Sequence, residues 1–354
     1  MQRKKKNMHR FDYSFLEKGN IDTQLLNVTL SVVELKIQGN ARKEQYATVF
    51  TELEKIAKVQ SVKNSNAIEG IVTTDERIRE IVTQSSAPLN HSEAEIAGYR
   101  DALNLVHNNF AILDFNEQTV LRLHRMMLAL TGDAGGTYKT TDNLIMEIDE
   151  EGNRRVRFRP VPADETQKAM EQLFLAYADA RSNPHINQLL LIPCVILDFL
   201  CIHPFSDGNG RMSRLLTLLL LYKNGFDAGR YISYEEQLNK YKDLYYEALE
   251  QSSVGWHEND NGYNWFMYNF LSMLYLCYKE LDKRFAVVNS KRITKKARIE
   301  ATVLQSVLPI SKKEVCEILP DVSPTTVEAV LGNMVRNGSV KKIGSGSQTK
   351  YYRQ

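Results

Sequence analysis

Residues 189–221 constrain the fold more than any other stretch. Two apolar segments, 189–202 and 215–221, bracket twelve positions dense in charge, glycine and imidazole. A helix that is apolar around its whole circumference belongs inside a core. The polar stretch between two such helices is then a loop pinned at both ends, and a loop held that rigidly is a good place for chemistry. Segment 189–202 is too short to span a bilayer and carries Asp198, so it reads as interior rather than membrane.

The remaining pattern is mainly α. Residues 21–60 carry apolar positions at helical spacing (Leu25, Val28, Val32, Leu35, then Val49, Leu53, Ile56), as do 104–130, 165–180 and 188–202, with Pro160, Pro162 and Pro184 in the gaps. Between two of these helices, residues 137–161 form a hairpin signature. Leu144, Met146 and Ile148 alternate before the turn residues 149–153, and Val156 and Phe158 alternate after it. A lone hairpin in a helical domain exposes its edges, a liability unless something pairs with it. After a basic stretch at 290–298 the pattern changes. Ser311 caps a short helix to Leu319, Ser323-Pro324 starts a second ending near Asn337-Gly338, and 340–352 reads as two strands about Gly344-Ser345-Gly346. This is a winged helix-turn-helix order.

Composition adds exclusions. With 43% hydrophobic and 25% charged residues, disordered, collagen-like and disulfide-scaffold classes are out. Cys194, Cys201, Cys277 and Cys316 show neither paired nor zinc-type spacing and read as small core hydrophobes in a reducing compartment. The basic start, residues 1–10, is followed by no apolar stretch, so the expectation is a soluble cytoplasmic protein without a membrane partner. Residues 281–354 hold 14 Lys/Arg against 6 Asp/Glu. Such a tail suits a polyanion or a solvated surface.

Within the loop, each residue type has a separate use if the partner is a metal-bound polyphosphate. Gly208, Asn209 and Gly210 leave backbone amides unobstructed at a helix start, where orphan amides and the helix dipole favour negative charge. Arg211 and Arg214 lie three apart near that start and can fork onto phosphate oxygens. Asp207 is a hard oxygen ligand suited to Mg²⁺, and His203 can accept a proton near neutral pH. Helix capping by His203 and Asp207 would explain either residue alone but not the ordered set. The segment therefore reads as a phosphoryl- or nucleotidyl-transfer site.

At these residues the chain resembles Fic-domain proteins: His203-Pro-Phe-x-Asp-Gly-Asn-Gly-Arg-x-x-Arg214 is similar to their signature without departure. The resemblance covers residues 60–275 and implies a mainly α fold, a Fic-type helical bundle with a β-hairpin flap, here followed by the winged helix-turn-helix domain. It implies a protein adenylyltransferase moving AMP from ATP to a Tyr, Thr or Ser hydroxyl of target proteins, the chain itself included. His203 would take the proton, and Phe205 would anchor the loop. Asp207 would hold Mg²⁺ on the α- and β-phosphates. Asn209 and the Gly208 and Gly210 amides would bind the phosphates with Arg211, and Arg214 would reach the γ-phosphate. Leu144, Ile145 and Met146 belong to the flap, which would align the target segment by strand addition. Tyr245 and Tyr246 look like paired tyrosines near the adenine pocket, although a helical aromatic pair also suits core packing; Ser252 and Ser253 stand where relatives often have Asn.

Ser65-Asn66-Ala67-Ile68-Glu69-Gly70 resembles the family's inhibitory helix. Ser65 and Glu69 share a helix face and Gly70 can end the helix, leaving a carboxylate at the negative end of the dipole that an external cation would suit. Pairing with Arg214 would occupy the guanidinium meant for the γ-phosphate and brake the enzyme. The division expected is 1–100, a helical segment with the inhibitory helix; 101–289, the catalytic domain; and 290–354, the winged domain. Partners implied are ATP, a protein hydroxyl, a second copy of the chain and, through the winged domain, DNA or protein. Other donors, AMP removal, and a nucleotide-sensing DNA-binding regulator are the alternatives.

Overall fold

The computed structural model describes residues 9–148, 154–289, 294–306, 309–319, 321–346 and 349–353. The expected hairpin turn at 149–153 and part of the basic linker, 290–293, lie outside the described residues.

Short polar side chains start the helices where the apolar spacing begins. Asp22, Thr74, Asn90, Asn116, Asn187, Ser233, Ser311 and Ser323 each accept a hydrogen bond from an amide in the first turn. One of these caps corrects the sequence reading. The stretch 104–130 is not one helix but the end of His91–Asn109 and the whole of Glu117–Leu128, because Asn116 takes the Thr119 amide and restarts the chain. The same helix, His91–Asn109, crosses the expected boundary at residue 100 without a break.

The two apolar helices are central as expected. Gln188–Ile202 is buried from Leu189 onward and packs on Ala163–Ser182, Asn209–Lys223 and Asn264–Asn289. Asn209–Lys223 touches His91–Asn109, Glu117–Leu128 and Ala47–Ile68. Each fully buried Leu or Ile contributes about 1.5–3 kcal/mol, so the loop between these helices is held by the most strongly packed part of the molecule. Cys194, Cys201 and Cys277 are buried within this core and unpaired. No helix among the described residues is long and apolar enough to cross a membrane.

Asp198 is the exception on this apolar helix. It accepts from Tyr13 Oη (2.8 Å), Trp256 Nε1 (2.7 Å) and Tyr263 Oη (3.0 Å), tying the N-terminal segment and the start of the last bundle helix to the core. Burial pushes its carboxyl up to about 7. Burial also pushes four imidazoles down, His9, His124 and His203 to about 4 and His107 to about 3. The signs differ. Between pH 6.5 and 4 the unfolded chain protonates these histidines while the native one does not, so stability falls as pH falls. Asp198 acts in the opposite sense, since its native form keeps a proton that the unfolded form releases. Four groups outweigh one, and thermal melts should show Tm falling by several degrees between pH 7 and pH 5. A Tm that rises on acidification would contradict this balance.

The hairpin pairs Ile145–Ile148 with Arg154–Phe158, antiparallel, with an irregularity between Ile145 and Met146. Leu144 and Met146 are each 47% exposed, so the edge carries unprotected apolar side chains.

Beyond the bundle, helices Lys295–Gln305, Lys312–Ile318 and Pro324–Arg336 are followed by strands Val340–Ile343 and Lys350–Arg353. A short strand not expected from sequence, Ile310–Ser311, completes a three-stranded sheet by pairing with Lys350 and Tyr351. Two residues are too few to show a period. Helix Lys312–Ile318 rests on helix Ala47–Ile68. A cleft of about 1080 Å³ between these parts, lined among others by Leu53, Lys58, Arg79, Ile343 and Tyr352, includes none of the loop residues 203–214.

Candidate active site

The loop begins where helix Gln188–Ile202 ends. His203 is its C-cap, in the left-handed region at φ 51°, with its amide on Phe199 O at 3.0 Å. Non-glycine residues adopt this conformation at a cost, and such strain concentrates at functional positions. The geometry of His203 meets the capping expectation. His203 Nδ1 lies 3.3 Å from Leu200 O. A carbonyl can only accept, so Nδ1 carries the proton and Nε2 keeps its lone pair. With the imidazole held near 4 by burial, the ring is neutral at pH 7 and able to accept a proton. Lys139, Glu69 and Asp207 lie within electrostatic range of it.

Phe205 is fully buried and stacks on His124, ring centroids 3.7 Å apart and 8° from parallel. His124 receives the Gly136 amide at Nδ1 (2.9 Å), so its Nε2–H donates to Asp207 O (3.1 Å). Asn209 does not point outward to phosphate, as the resemblance implied. Its Oδ1 accepts from Phe205 N (2.9 Å) and its Nδ2 donates to Phe205 O (2.7 Å), closing the loop on itself. The second helix, Asn209–Lys223, is capped by Gly208 at φ 79°. A Cβ there would meet Met127 Cε at 2.5 Å in a conformation L-residues avoid. Gly208→Ala should therefore cost about 1–3 kcal/mol of stability, read as a lower denaturant midpoint; an unchanged midpoint would show the loop to be looser than this.

The two arginines diverge instead of sharing a face. Arg211, 1% exposed, places Nη1 2.8 Å from Glu95 and donates Nη2 to Asp207 Oδ2 (2.9 Å). Its Nε is buried without a hydrogen-bond partner, a donor left for an acceptor the described residues do not supply. Arg214, 2% exposed, donates Nε to Ser65 Oγ and Nη2 to Ser65 O and Glu69 Oε1, each at 2.8 Å. The structure thus brings Ser65 and Glu69 together with Arg214, which lies 149 and 145 residues further along the chain.

Glu69 caps the C-terminus of helix Ala47–Ile68, and Gly70 follows at φ 80°. Burial would raise its carboxyl, but the charge and hydrogen bond of Arg214 outweigh that and hold it below the usual carboxylate range. Its Oε1 lies 2.2 Å from where a Cβ on Gly210 would stand. The carboxylate therefore sits against the first turn of helix Asn209–Lys223, where the amides are oriented to take an anion.

Four contributors were not legible in sequence. Glu95 and His124 lie on helices whose pattern gives only their apolar face. Lys139 and Asn143 fall in the approach to the hairpin, which was read for its turn. Lys139 is buried, donates to Ile202 O (3.2 Å) and Asn143 Oδ1 (2.8 Å), and is lowered to about 8 by burial. Asn143 in turn donates to Phe205 O (3.0 Å), so the base of the flap and the loop form one hydrogen-bonded unit. A cation at the helix C-terminus also suits the dipole. The two tyrosines divide. Tyr245 is buried against Phe266, whereas Tyr246 is partly exposed beneath the Arg157 guanidinium of the flap. Ser252 is occupied with the Phe266 amide.

For a metal, Asp207 is the loop's carboxylate and its side chain is 71% exposed. Among the described residues no group of three or more His, Cys, Asp or Glu side chains could hold an ion. A cation here would take Asp207 and complete its shell with phosphate oxygens and water, as Mg²⁺ does at nucleotides. The donor set fits such an ion.

Residues 114–221, which include the loop and the helices that hold it, match the sequence model of the Fic/DOC family. The chain contains a Fic domain. It is 28% identical over 214 residues to a protein adenylyltransferase Fic from Nematostella vectensis, covering 57% of this chain and 44% of that protein. It is 32% identical over 87 residues to a Fido domain-containing protein from Dictyostelium discoideum, covering 24% and 58%. The chain thus spans about half the length of these curated relatives. A Fic family protein from Desulfovibrio desulfuricans has the same fold over 95% of this chain and 97% of its own, with TM-score 0.62 and 19% identity. The Fic fold therefore extends beyond the matched residues.

Proposed function

We propose that the protein transfers AMP from Mg-ATP to a hydroxyl of a protein substrate, itself among them, and that Glu69 restrains the reaction. The observation that carries this reading is the neutral His203, with Nε2 unprotonated, beside an amide-lined helix start and a single exposed carboxylate. In the proposed step, His203 Nε2 takes the proton as the substrate oxygen bonds to the α-phosphorus. The bond from that phosphorus to the β-bridging oxygen breaks, and pyrophosphate leaves with its electron pair. Asp207 would hold Mg²⁺, which would supply charge neutralisation on the phosphates. Positioning and electrostatics account for the remainder. The hairpin edge, with Leu144, Ile145 and Met146, takes the substrate segment as an added strand, which explains apolar side chains left open at a sheet edge.

The Nematostella relative's name supports the group transferred. Intact-mass spectrometry of the chain after incubation with Mg²⁺ and, separately, ATP, UTP, GTP or a phosphocholine donor tests it. An AMP-sized adduct with ATP alone is expected, and an adduct of another mass would reassign the donor.

The three helices and three-stranded sheet after residue 294 support the winged-helix reading of that unit. Its helix Pro324–Arg336 exposes Thr325, Glu328, Ala329, Asn333 and Arg336, with Glu328 paired to Lys312. One basic residue on that face favours a protein partner over duplex DNA. Titration of the full chain with duplex DNA at low salt should show no salt-dependent affinity; a steep salt dependence would restore the DNA role.

A further inference from the structure

The helix that carries Ser65 is gripped along one face by a short stretch that no motif contains. Gln60 Nε2 donates to Glu236 Oε1 (3.1 Å), Ser61 Oγ to Ser233 Oγ (3.0 Å), and Asn239 Nδ2 to Asn64 Oδ1 (2.9 Å). Lys242 Nζ then donates to Ile68 O at 2.8 Å. Positions 60, 61, 64 and 68 lie within about 100° of one another around the helix axis. Residues 233–242 therefore run beside the C-terminal part of Ala47–Ile68, with Lys242 at its end.

The contact from Lys242 differs from the other three. The final carbonyls of a helix have no amide of their own helix to accept from, and a cation there also suits the dipole. Ile68 is the last residue of the helix and Glu69 is its C-cap. Ile68 O therefore belongs to the peptide unit that leads into the carboxylate, and Lys242 holds that unit in place. The ammonium also stands 5.7 Å from the centre of the Tyr246 ring, within cation–π range. The helix itself does not depend on this grip, because Val59, Val62 and Ile68 are buried in the core. What the grip sets is the aim of Glu69, whose Oε1 accepts from Arg214 Nη2 at 2.8 Å.

We infer that Lys242 is a positioning residue for the inhibitory carboxylate: by holding Ile68 O it fixes the peptide unit before Glu69, and together with Asn239 it keeps Glu69 on Arg214. The inference rests on the proposed restraint by Glu69 and names the element that sets how firmly the restraint is held. Lys242 has no part in the transfer itself, so its effect should vanish once Glu69 is gone. A residue that bound nucleotide, or merely supported the fold, would show its effect with or without Glu69.

The test measures self-modification by Mg-ATP, by intact mass, on full chains: the unaltered sequence, Lys242→Met, Glu69→Gly and the two substitutions together. Methionine keeps an unbranched stem and removes the charge. Losing a hydrogen bond from a charged donor corresponds to about tenfold or more, and solvent around a half-buried lysine reduces this. The expected result is a rate about five- to tenfold higher for Lys242→Met where Glu69 is present, and no change where Glu69 is glycine. No rise with Glu69 present, or the same change in both backgrounds, overturns the inference. A lower rate in the Glu69→Gly chain also overturns it, since Lys242 would then serve the nucleotide. If Glu69→Gly itself runs no faster than the unaltered chain, the restraint by Glu69 fails and the inference with it. Asn239→Ala removes one neutral hydrogen bond and carries the test should Lys242→Met fail to fold. A rise of about threefold, confined to chains with Glu69, is then expected, and its absence overturns the inference.

Discussion

Replacing Glu69 with glycine should raise the rate of self-modification by Mg-ATP on the order of 10- to 100-fold. The estimate comes from what the carboxylate does now: it holds Arg214 by a charge-assisted hydrogen bond at 2.8 Å, and such bonds contribute about 1.5–3 kcal/mol. It also fills the space beside Gly210, where an incoming triphosphate needs the amides of the helix start. Removing it should increase both nucleotide affinity and the fraction bound in a productive pose. Stability should fall only modestly. The Glu69 side chain is partly exposed, so solvent screens its charge, and Arg214 keeps both Ser65 contacts. Intact-mass time courses of the two proteins at equal concentration measure the ratio. Equal rates would mean that the ion pair is a structural contact without regulatory effect.

His203→Ala in the Glu69→Gly background should lower the rate by about 10²–10⁴-fold while leaving nucleotide affinity within a small factor. His203 does not hold the loop by its ring alone. The loop's closure comes from Asn209 on the Phe205 backbone and from His124 under Phe205. The alanine variant must still adopt φ 51° at that position, at about 1–2 kcal/mol, so the melting temperature should be recorded beside the rate. Single-turnover labelling at saturating Mg-ATP separates the terms. A rate loss explained wholly by weaker ATP binding would remove the general-base role and leave His203 as a helix cap.

Much of this site was legible because the loop's chemistry lies in consecutive residues and its flanking helices are apolar on all sides. The pairing of Ser65 and Glu69 with Arg214 was expected from the resemblance of residues 65–70 to the inhibitory helix, and the need of a carboxylate at a helix end for a cation agrees with it. The miss on Asn209 has a physical basis. An Asn side chain offers both a donor and an acceptor, and the backbone of Phe205 takes both at once; sequence gives no means of ranking that partner above a phosphate. Arg211 diverged from Arg214 because Glu95, on a helix whose pattern shows only its packing face, supplies a closer charge. Asn116 was hidden within an unbroken apolar rhythm, where its capping role depends on the turn that precedes it. The strand Ile310–Ser311 was too short to be seen.

The most direct measurement is the fate of the two ends of the nucleotide. The Glu69→Gly protein is incubated with Mg-ATP labelled in either the α- or the γ-phosphate and then denatured. The account predicts label retained from the α-position and none from the γ-position, with both absent once His203 is also replaced by alanine. Label retained from the γ-phosphate would show transfer of phosphate rather than AMP and contradict it.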